Sequence, residues 1–280
     1  MTITTLTKAD APAPPAVEAL PSHRRAAPRP FVLTLLFAVV FLALWQGAAS
    51  AGWLSDIAPT PARTWTRAGE LLSNPFFRDG PASVGIFWHI VASLRRVLVG
   101  FVIAMLIALP LGYVIAVSPV LNRALDPFNQ ILRPVSPLAW LPLGLALLRD
   151  SENTAVFVIV LTALWPTLLN TVTAVQGVHP TYLRLAATLG ARRWQCLAFI
   201  VIPAALPGIV TGMRQSLSTA WLVIVAAEML VGGRGVGFFV WNMWNRLDID
   251  AIVVVIVLIG LVGLVLDQAL AAVQKVVRYV

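Results

Sequence analysis

Apolar residues occur in long blocks along this chain, and most polar residues are gathered between them. A bilayer-spanning helix needs about 20 mostly apolar residues. Blocks of about that length occupy roughly residues 31–51, 97–117, 130–148, 154–175, 205–230 and 251–271. The pattern predicts an all-α integral membrane protein with six transmembrane helices. The block at 130–148 is short and holds Pro134, Pro137 and Pro142. Such breaks are tolerated where neighbouring helices or a water cavity satisfy the freed carbonyls. This segment is therefore expected in the bundle interior rather than facing lipid.

Six crossings put both termini on one side. With the N-terminus inside, the inner basic residues are Lys8, Arg24, Arg25, Arg29, Arg123, Arg133, Arg184, Arg192, Arg193, Lys275 and Arg278. The outer ones are Arg63, Arg67, Arg78, Arg149, Arg234 and Arg246, with Arg95 and Arg96 near a helix start. The bias favours cytoplasmic termini. The segment 52–96 is then external, with an interfacial stretch around "FWHIVASLRRVLVGF".

The stretch "DAPAPPAVEALPSHRRAAPRP" has no apolar period and is rich in Pro and Ala, so residues 1–30 read as a disordered cytoplasmic tail. A secretory signal reading also exists: Arg24 and Arg25, an apolar run, then Ala49-Ser50-Ala51 as a cleavage site. The apolar run is long enough, with its flanks, to stay as an anchor.

Composition narrows the class. The chain has 280 residues, 59% hydrophobic and 11% charged, with a mean hydropathy of +0.86. A soluble domain of this length needs far more charged surface, so the chain is a polytopic membrane protein. Its net charge is +8. The arginines are spread between apolar runs, which suits loops beside anionic lipid headgroups rather than nucleic acid. Cys196 is the single cysteine, which excludes an internal disulfide and a cysteine metal site. His23, His89 and His179 are too scattered to form a ligand motif. Neither lysine, Lys8 or Lys275, follows the G-x-x-x-x-G-K-[ST] pattern of a phosphate-binding loop. ATP hydrolysis, if used, belongs to another chain.

One polar insertion lies between two apolar blocks: "TYLRLAATLGARRWQCLAFIVIPAALPG", Thr181–Gly208. Leu183, Leu185, Ala186 and Leu189 favour a short amphipathic helix, and Gly190 suits its C-terminal cap. "ARRWQCLAFIVIP" restarts a helix that Pro203 is expected to interrupt. The segment reads as two short helices at an angle, outside the bilayer. A basic interfacial loop is the plainer reading on composition alone.

The spacing Ala186, three residues, Gly190, nine residues, Ile200, one residue, Ile202-Pro203 resembles the coupling-loop signature of ABC importer permeases. That signature is Glu-Ala-Ala, three residues, Gly, nine residues, Ile, one residue, Leu-Pro. Arg184 stands in the place of the glutamate, Leu185 of the first alanine and Ile202 of the leucine. "LRPVSPLAWLPLGLALLRDS", "VIVLTALWPTLLNTV" and "AWLVIVAAEMLVGGRGVGFFVWN" look like the nitrate/sulfonate/taurine branch, closest to nitrate permeases. The resemblance covers roughly residues 85–272. It implies a type I ABC importer permease architecture with a cytoplasmic coupling helix. Residues Arg184, Ala186, Gly190, Ile200 and Pro203 then dock on an ATPase subunit and carry its motion to the spans. A rigid helix transmits displacement, and a glycine permits the tight turn.

The resemblance also implies partners: two ATP-binding subunits, a second permease copy in a homodimer, and a periplasmic or lipid-anchored substrate-binding protein. No cofactor is expected on this chain; ATP and Mg belong to the ATPase subunits. The implied organisation is a tail at 1–30, a first span and external segment at 31–96, and a permease core at 97–272. The coupling loop at 181–203 lies within the core, and a cytoplasmic C-terminus occupies 273–280. The location is the bacterial inner membrane.

Candidates for the pathway or gate are ionisable or polar groups at membrane depth. Arg214 and Glu228 are fourteen residues apart, about 21 Å along one helix, so they cannot pair within it. They mark a pathway, or Arg214 snorkels to the cytoplasmic interface and Glu228 caps the outer end. Asn170, Gln215 and Ser218 are candidates for lining the path. Hydroxyls such as Thr162 and Thr219 often bond back to their own helix. Trp140, Trp165 and Trp221 read as packing or interface residues. "VGGRGVG" lacks the strand–helix context of a dinucleotide fingerprint. It reads as a tight external turn or, by the resemblance, as an outer gate formed by Gly233, Arg234 and Gly235, with Arg234 attracting an anion.

The expected function is translocation of a small oxyanion, nitrate first, driven by ATP on separate subunits. Sulfonate, taurine, bicarbonate, nitrite and cyanate are the alternative cargoes. A secondary transporter would need an intramembrane acid or His relay, for which only Glu228 and Asp267 are available. A membrane-embedded enzyme would need a cluster of His, Asp or Glu at membrane depth, and none is visible.

Overall fold

The computed structural model describes residues 30–53, 55, 57–80, 84–132 and 134–277. The N-terminal tail with its signal-peptide alternative, Arg133, and the last three residues lie outside the described residues. The described chain is almost wholly helical. Five helices are long and apolar enough to cross a membrane, or six crossings if one sharply bent pair counts as a span.

The first helix, α1 (Pro30–Ser50), is apolar all round and exposed along most of its length. Such a surface needs lipid or another chain against it. Trp45 Nε1 donates to the Pro59 carbonyl at 3.1 Å and ties α1 to the start of α2 (Pro61–Ser73). Thr60 caps α2, with Oγ1 accepting from the Arg63 N–H at 3.3 Å. Thus the segment between the first two spans contains its own short amphipathic helix.

The next span begins earlier than its apolar block suggests. Helix α3 (Ile86–Val117) has 32 residues, about 48 Å at 1.5 Å per residue. It includes "FWHIVASLRRVLVGF" in one helix with the apolar block that follows, and it runs unbroken across the 96/97 boundary. The reason is burial: His89, Ser93 and Arg96 lie on the inward side of α3 and find polar partners there.

The proline-rich third block is not one continuous helix. Helix α4 (Pro119–Leu132) ends before Pro134; a 3-10 turn (Pro137–Trp140) then leads into α5 (Leu141–Leu148). The two arms are bent by 88°. Prolines cannot donate to a preceding carbonyl, so the chain turns where Pro134 and Pro137 cluster. The break is not interior in the single chain: Pro134, Val135 and Ser136 are exposed and α4 buries no residue, whereas α5 packs on α6 (Ser151–Gln176).

The core is built from α3, α6 and α9 (Ile202–Val231). Val97, Phe101, Ile159, Leu217, Trp221 and Ile224 meet there with little or no exposure. Gly212 of α9 lies so close to Asn170 of α6 that an added Cβ would stand 2.5 Å from the Asn170 Cβ. The Ser216 hydroxyl sits 2.6 Å from the Thr167 hydroxyl and donates to the Ala163 carbonyl at 2.8 Å. Helix α11 (Ile249–Val277) closes the bundle, accepting the Trp221 indole N–H at the Ile259 carbonyl, 3.0 Å. Two ion pairs, Arg63–Asp250 at 2.8 Å and Arg67–Asp248 at 2.6 Å, brace α2 against the start of α11. Arg67 also pairs with Glu70, and that hydrogen bond, followed by Asp248, raises its pKa above the ordinary arginine value.

The polar insertion contains α7 (Pro180–Thr188) and a helix that restarts as α8 (Arg193–Cys196). Gly190 has φ +70. The Gly190 N–H donates to the Ala187 carbonyl and the Ala191 N–H to the Ala186 carbonyl, 3.1 and 3.0 Å. These two bonds and a left-handed glycine make a Schellman cap. The Gln195 side chain accepts from the Arg192 N–H at 2.8 Å and closes the start of α8, as in half of a capping box.

Pro203 does not end the second helix. α8 passes through a π-helical turn (Leu197–Val201) straight into α9. Trp194–Val231 is therefore one continuous run of 38 residues. The wide turn, with the Ile202 N–H reaching the Leu197 carbonyl, accommodates a proline that cannot bond the Phe199 carbonyl.

Candidate functional site

The groove between α6, α9 and the α4–α5 break holds a cavity of about 430 Å³. Asn170 and Gln215 both line it, with Thr162, Trp165, Thr173 and Thr219. Gln215 lies midway along α9. The Asn170 Nδ2 donates to the Gln215 Oε1 at 3.3 Å and to the Pro166 carbonyl at 2.7 Å. Ser218 is exposed on α9 but does not line the cavity. Trp165 lines it rather than serving only as packing. Among the described residues, no charged side chain is in the wall.

The ionisable groups of the spans are engaged elsewhere. The Glu228 side chain is 1% exposed and pairs with Arg96 of α3 at 2.8 Å, Arg96 itself being 7% exposed. Ser93 Oγ lies 2.8 Å from both Glu228 carboxylate oxygens. The Gly237 N–H donates to Glu228 Oε2 at 3.0 Å, and the Val236 N–H donates to Ser93 Oγ at 2.9 Å. Arg96 also donates to the Arg234 carbonyl. His89 Nδ1 is 2.9 Å from the Gly235 carbonyl and 3.1 Å from the Gly235 N–H.

The glycine-rich turn is thus folded over a buried carboxylate. A Cβ on Gly235 would stand 2.2 Å from the Glu228 carboxyl carbon, which only a glycine avoids. Helix α10 (Val236–Asn245) starts from this turn. Gly233 and the Arg234 side chain are exposed, and Arg234 lines a smaller cavity with Arg95, Arg96 and Glu152. Glu228 is neither a helix cap facing solvent nor a group in the wall of the cavity at Gln215.

Arg214 pairs with Asp267 of α11 through two bonds of 2.5 Å. Its side chain borders a separate cavity with Lys275, about 21 Å along α9 from Glu228. Both acids that a proton relay could use, Glu228 and Asp267, are therefore held in ion pairs with arginine.

In the polar insertion, Ala186 is 3% exposed, whereas Arg184 and Gly190 are exposed; Ile200 and Pro203 are half-buried. Two residues on a helix are about 200° apart, so Arg184 points away from the face on which α7 rests. Tyr182, Leu185 and Leu189 are exposed with it.

Residues 108–279 match the family described as "Binding-protein-dependent transport system inner membrane component". The chain belongs to this family. Within it, the permease falls in the nitrate/sulfonate/taurine branch. It is 42% identical over 206 residues to the nitrate import permease protein NrtB of Leptolyngbya laminosa, covering 74% of this chain and 73% of that protein. It is 38% identical over 250 residues to the bicarbonate transport system permease protein CmpB of Synechocystis, covering 88% and 89%. The taurine transport system permease protein TauC of Escherichia coli is 31% identical over 248 residues, again 88% and 89%. Among solved structures, an inward-facing MetNI methionine ABC transporter chain matches with a TM-score of 0.60 at 18% identity, over 69% of this chain and 95% of that one. That likeness shows the type I importer permease fold.

The permease is therefore a membrane-embedded transport subunit of an ABC importer, and the ATPase of such a complex is on separate subunits. Several residues that shape the permease site were missed in the apolar pattern. His89, Ser93 and Arg96 recur at helical spacing ahead of an apolar block, a polar stripe that marks an inward face. The lone opposite charges Arg214 and Asp267 in different spans are a comparable signal for a pair.

Proposed function

We propose that this permease moves a small oxyanion, nitrate first, through the groove of Asn170 and Gln215. The observation that supports this best is a mid-span cavity walled by uncharged hydrogen-bonding side chains, in a chain whose relatives include nitrate import permeases. Bicarbonate is the second reading, favoured by the bicarbonate permease that matches over 88% of this chain. Two copies enclose the path between them. A periplasmic or lipid-anchored binding protein delivers the anion to the Gly233–Gly235 end. Two ATPase subunits bind ATP and Mg on the cytoplasmic side of the inner membrane. Both termini and α7 face the cytoplasm.

In this arrangement α7 is the coupling helix. Ala186 seats it on the spans, while Arg184, Tyr182 and Leu185 meet the ATPase. With arginine where the family has glutamate, the ATPase groove supplies an acidic rather than a basic contact. ATP-driven closure then reaches the pathway directly, because α8, the π-helical turn and α9 are one helical run. Displacement at Arg193 arrives at Gln215 without crossing a loop.

The test is uptake in proteoliposomes holding the permease, its ATPase and its binding protein. ATP-dependent accumulation of nitrate, with weaker bicarbonate competition, is the expected result. Uptake that follows a proton or sodium gradient and ignores ATP would refute it.

A further inference from the structure

We infer that Leu222 seals the transport path: it meets its counterpart in a second copy of this chain, just outward of an aqueous vestibule lined by Thr211, Arg214, Gln215 and Ser218. The inference rests on the transport reading above. It adds the face on which the copies meet and the residue that closes it.

Arg214 and Asp267 are deep and yet uncovered. Helix α9 runs from Ile202 to Val231, so Arg214 lies within about 4 Å of its midpoint at 1.5 Å per residue. Asp267 lies about 6 Å from the midpoint of α11. The pair is therefore near mid-membrane, but its side chains are 38% and 32% exposed. Ionisable groups at that depth face the bundle interior or a water-filled space rather than hydrocarbon. The exposed side of α9 at this level is thus turned away from lipid.

The same side changes character along its length. At 100° per residue, Thr211, Arg214, Gln215 and Ser218 fall within one arc of about 120°, and they span about 10 Å of helix. Thr211, Gln215 and Ser218 are exposed. Towards the glycine turn the same arc continues as Leu222, Val225, Ala226 and Met229, all apolar. Leu222 stands out from it at 72% exposed, whereas the other three are half-buried. In the opposite direction the lining stays polar. Thr211 and Arg214 share a cavity of about 460 Å³ with Gln274 and Lys275, near the end of α11. Gln274 Nε2 donates to Thr211 Oγ1 at 2.9 Å across that groove. Water can therefore follow this face from the α11 end up to Ser218, and the first large side chain beyond is Leu222.

A second copy is the occupant that completes the seal. Copies related by a two-fold axis present the same face to each other, and a residue close to the axis meets its own counterpart. Two facing leucines make a hydrophobic constriction, which stops ions by dewetting. One exposed leucine alone would close nothing. Because α8 and α9 are one helical run, displacement at α8 shifts this face and parts the two leucines.

The experiment uses the complete complex of permease, ATPase and binding protein in liposomes. Cys196→Ser removes the single cysteine, and its own ATP-driven uptake is the reference. Leu222→Cys, Ser218→Cys and Val265→Cys are made on that background. Val265 is 65% exposed on α11 and about 200° around the helix from Asp267, so it reports the lipid side. Each variant complex is first checked for normal subunit stoichiometry, and thiol chemistry is read on the separated permease band. Without nucleotide, a short bis-methanethiosulfonate linker should join two permease chains at Leu222→Cys and not at Val265→Cys. A charged methanethiosulfonate added on the α7 side should label Ser218→Cys faster than Val265→Cys. Leu222→Ser should raise ATP-independent efflux of nitrate and chloride by about tenfold, a barrier lower by about 1.4 kcal/mol. A missing cross-link at Leu222→Cys, Ser218→Cys labelling no faster than that of Val265→Cys, or an unchanged leak would each overturn the inference. None of these readouts needs cargo recognition, so any can fail while ATP-driven nitrate uptake stands. Uptake that ignores ATP in a complex that still cross-links at Leu222→Cys would overturn the transport reading and leave the seal in place.

Discussion

Replacing Glu228 by alanine isolates the energetics of the buried ion pair. The carboxylate is 1% exposed and accepts from Arg96, from Ser93 and from the Gly237 N–H. Alanine leaves the Arg96 guanidinium, 7% exposed, without its counter-charge. Breaking one side of a buried pair costs about 3–5 kcal/mol. It also strands the Gly237 N–H and the Ser93 hydroxyl, each a further penalty of roughly 1–3 kcal/mol where water cannot enter. For a chain of this size about 2 °C of midpoint is lost per kcal/mol, so the ion pair alone predicts a fall of about 6–10 °C. The glycine turn should loosen first, because Gly235 and Gly237 are packed against this side chain. The assay is thermal unfolding of the permease in lipid nanodiscs, with hydrogen exchange read at residues 232–237. The paired variant Arg96→Met with Glu228→Leu removes both charges together. It should be less damaging than Glu228→Ala, since apolar replacement of a whole buried pair is often close to neutral. A midpoint within about 2 °C of wild type for Glu228→Ala, roughly 1 kcal/mol, or a double variant no better than the single, would refute this account.

Three further predictions concern α7, the proposed coupling helix, and its seat. Gly190→Pro removes the cap, because proline cannot adopt φ +70; ATP hydrolysis should then persist without transport, or the ATPase should fail to copurify, and Gly190→Ala should cost about 1–2 kcal/mol for the left-handed backbone alone. Ala186→Leu overfills a site that is 3% exposed and should cost about 1–3 kcal/mol, read as a lower unfolding midpoint and a reduced transport-to-hydrolysis ratio. Arg184→Glu should leave the unfolding midpoint of the permease unchanged, since the side chain is exposed, but weaken copurification of the ATPase; undiminished copurification would remove the acidic contact proposed for the partner groove.

The parts of the fold that were legible in sequence are those governed by period and by local caps. The apolar blocks locate the spanning helices because every backbone group in a bilayer must be bonded within its own helix. Gly190 announced the end of α7 because a left-handed cap strongly favours glycine, and the structure gives it φ +70. Pro203 misled for a tertiary reason. A proline normally ends a helix, but a π-helical turn can route the chain past the missing N–H, and the buried Val201 and Ala205 hold it there. The start of α3 was misplaced because Arg95 and Arg96 look like a boundary in one dimension. Their difference is set by a partner 132 residues away: Arg96 faces Glu228, whereas Arg95 faces Glu152 on the exposed side. Asn170 and Gln215 were legible as rare amides in apolar helices. Trp165 was not, because a tryptophan in a span looks the same in sequence whether it packs between helices or lines a cavity.

The placement of charge links the fold to the transport step. Two ion pairs fasten α9 to neighbouring spans, Arg96–Glu228 and Arg214–Asp267. Neither pair lines the cavity at Gln215. At 4 Å and an effective dielectric constant of about 20, an unpaired arginine would attract a monoanion by about 4 kcal/mol. That attraction would slow escape by about a thousandfold, turning a passage into a trap. Pairing each arginine with a carboxylate removes the trap and uses the same charges to fasten α3 and α11 to α9. Helix α9 then carries three attachments in series: the run from α8 at one end, the Arg214–Asp267 pair near its middle, and the Glu228 cluster under the glycine turn. Movement imposed at the α8 end must either carry the glycine turn with it or strain a buried ion pair. The one stretch between these fastenings that faces the groove is Gln215–Thr219, where only neutral hydrogen bonds need to change.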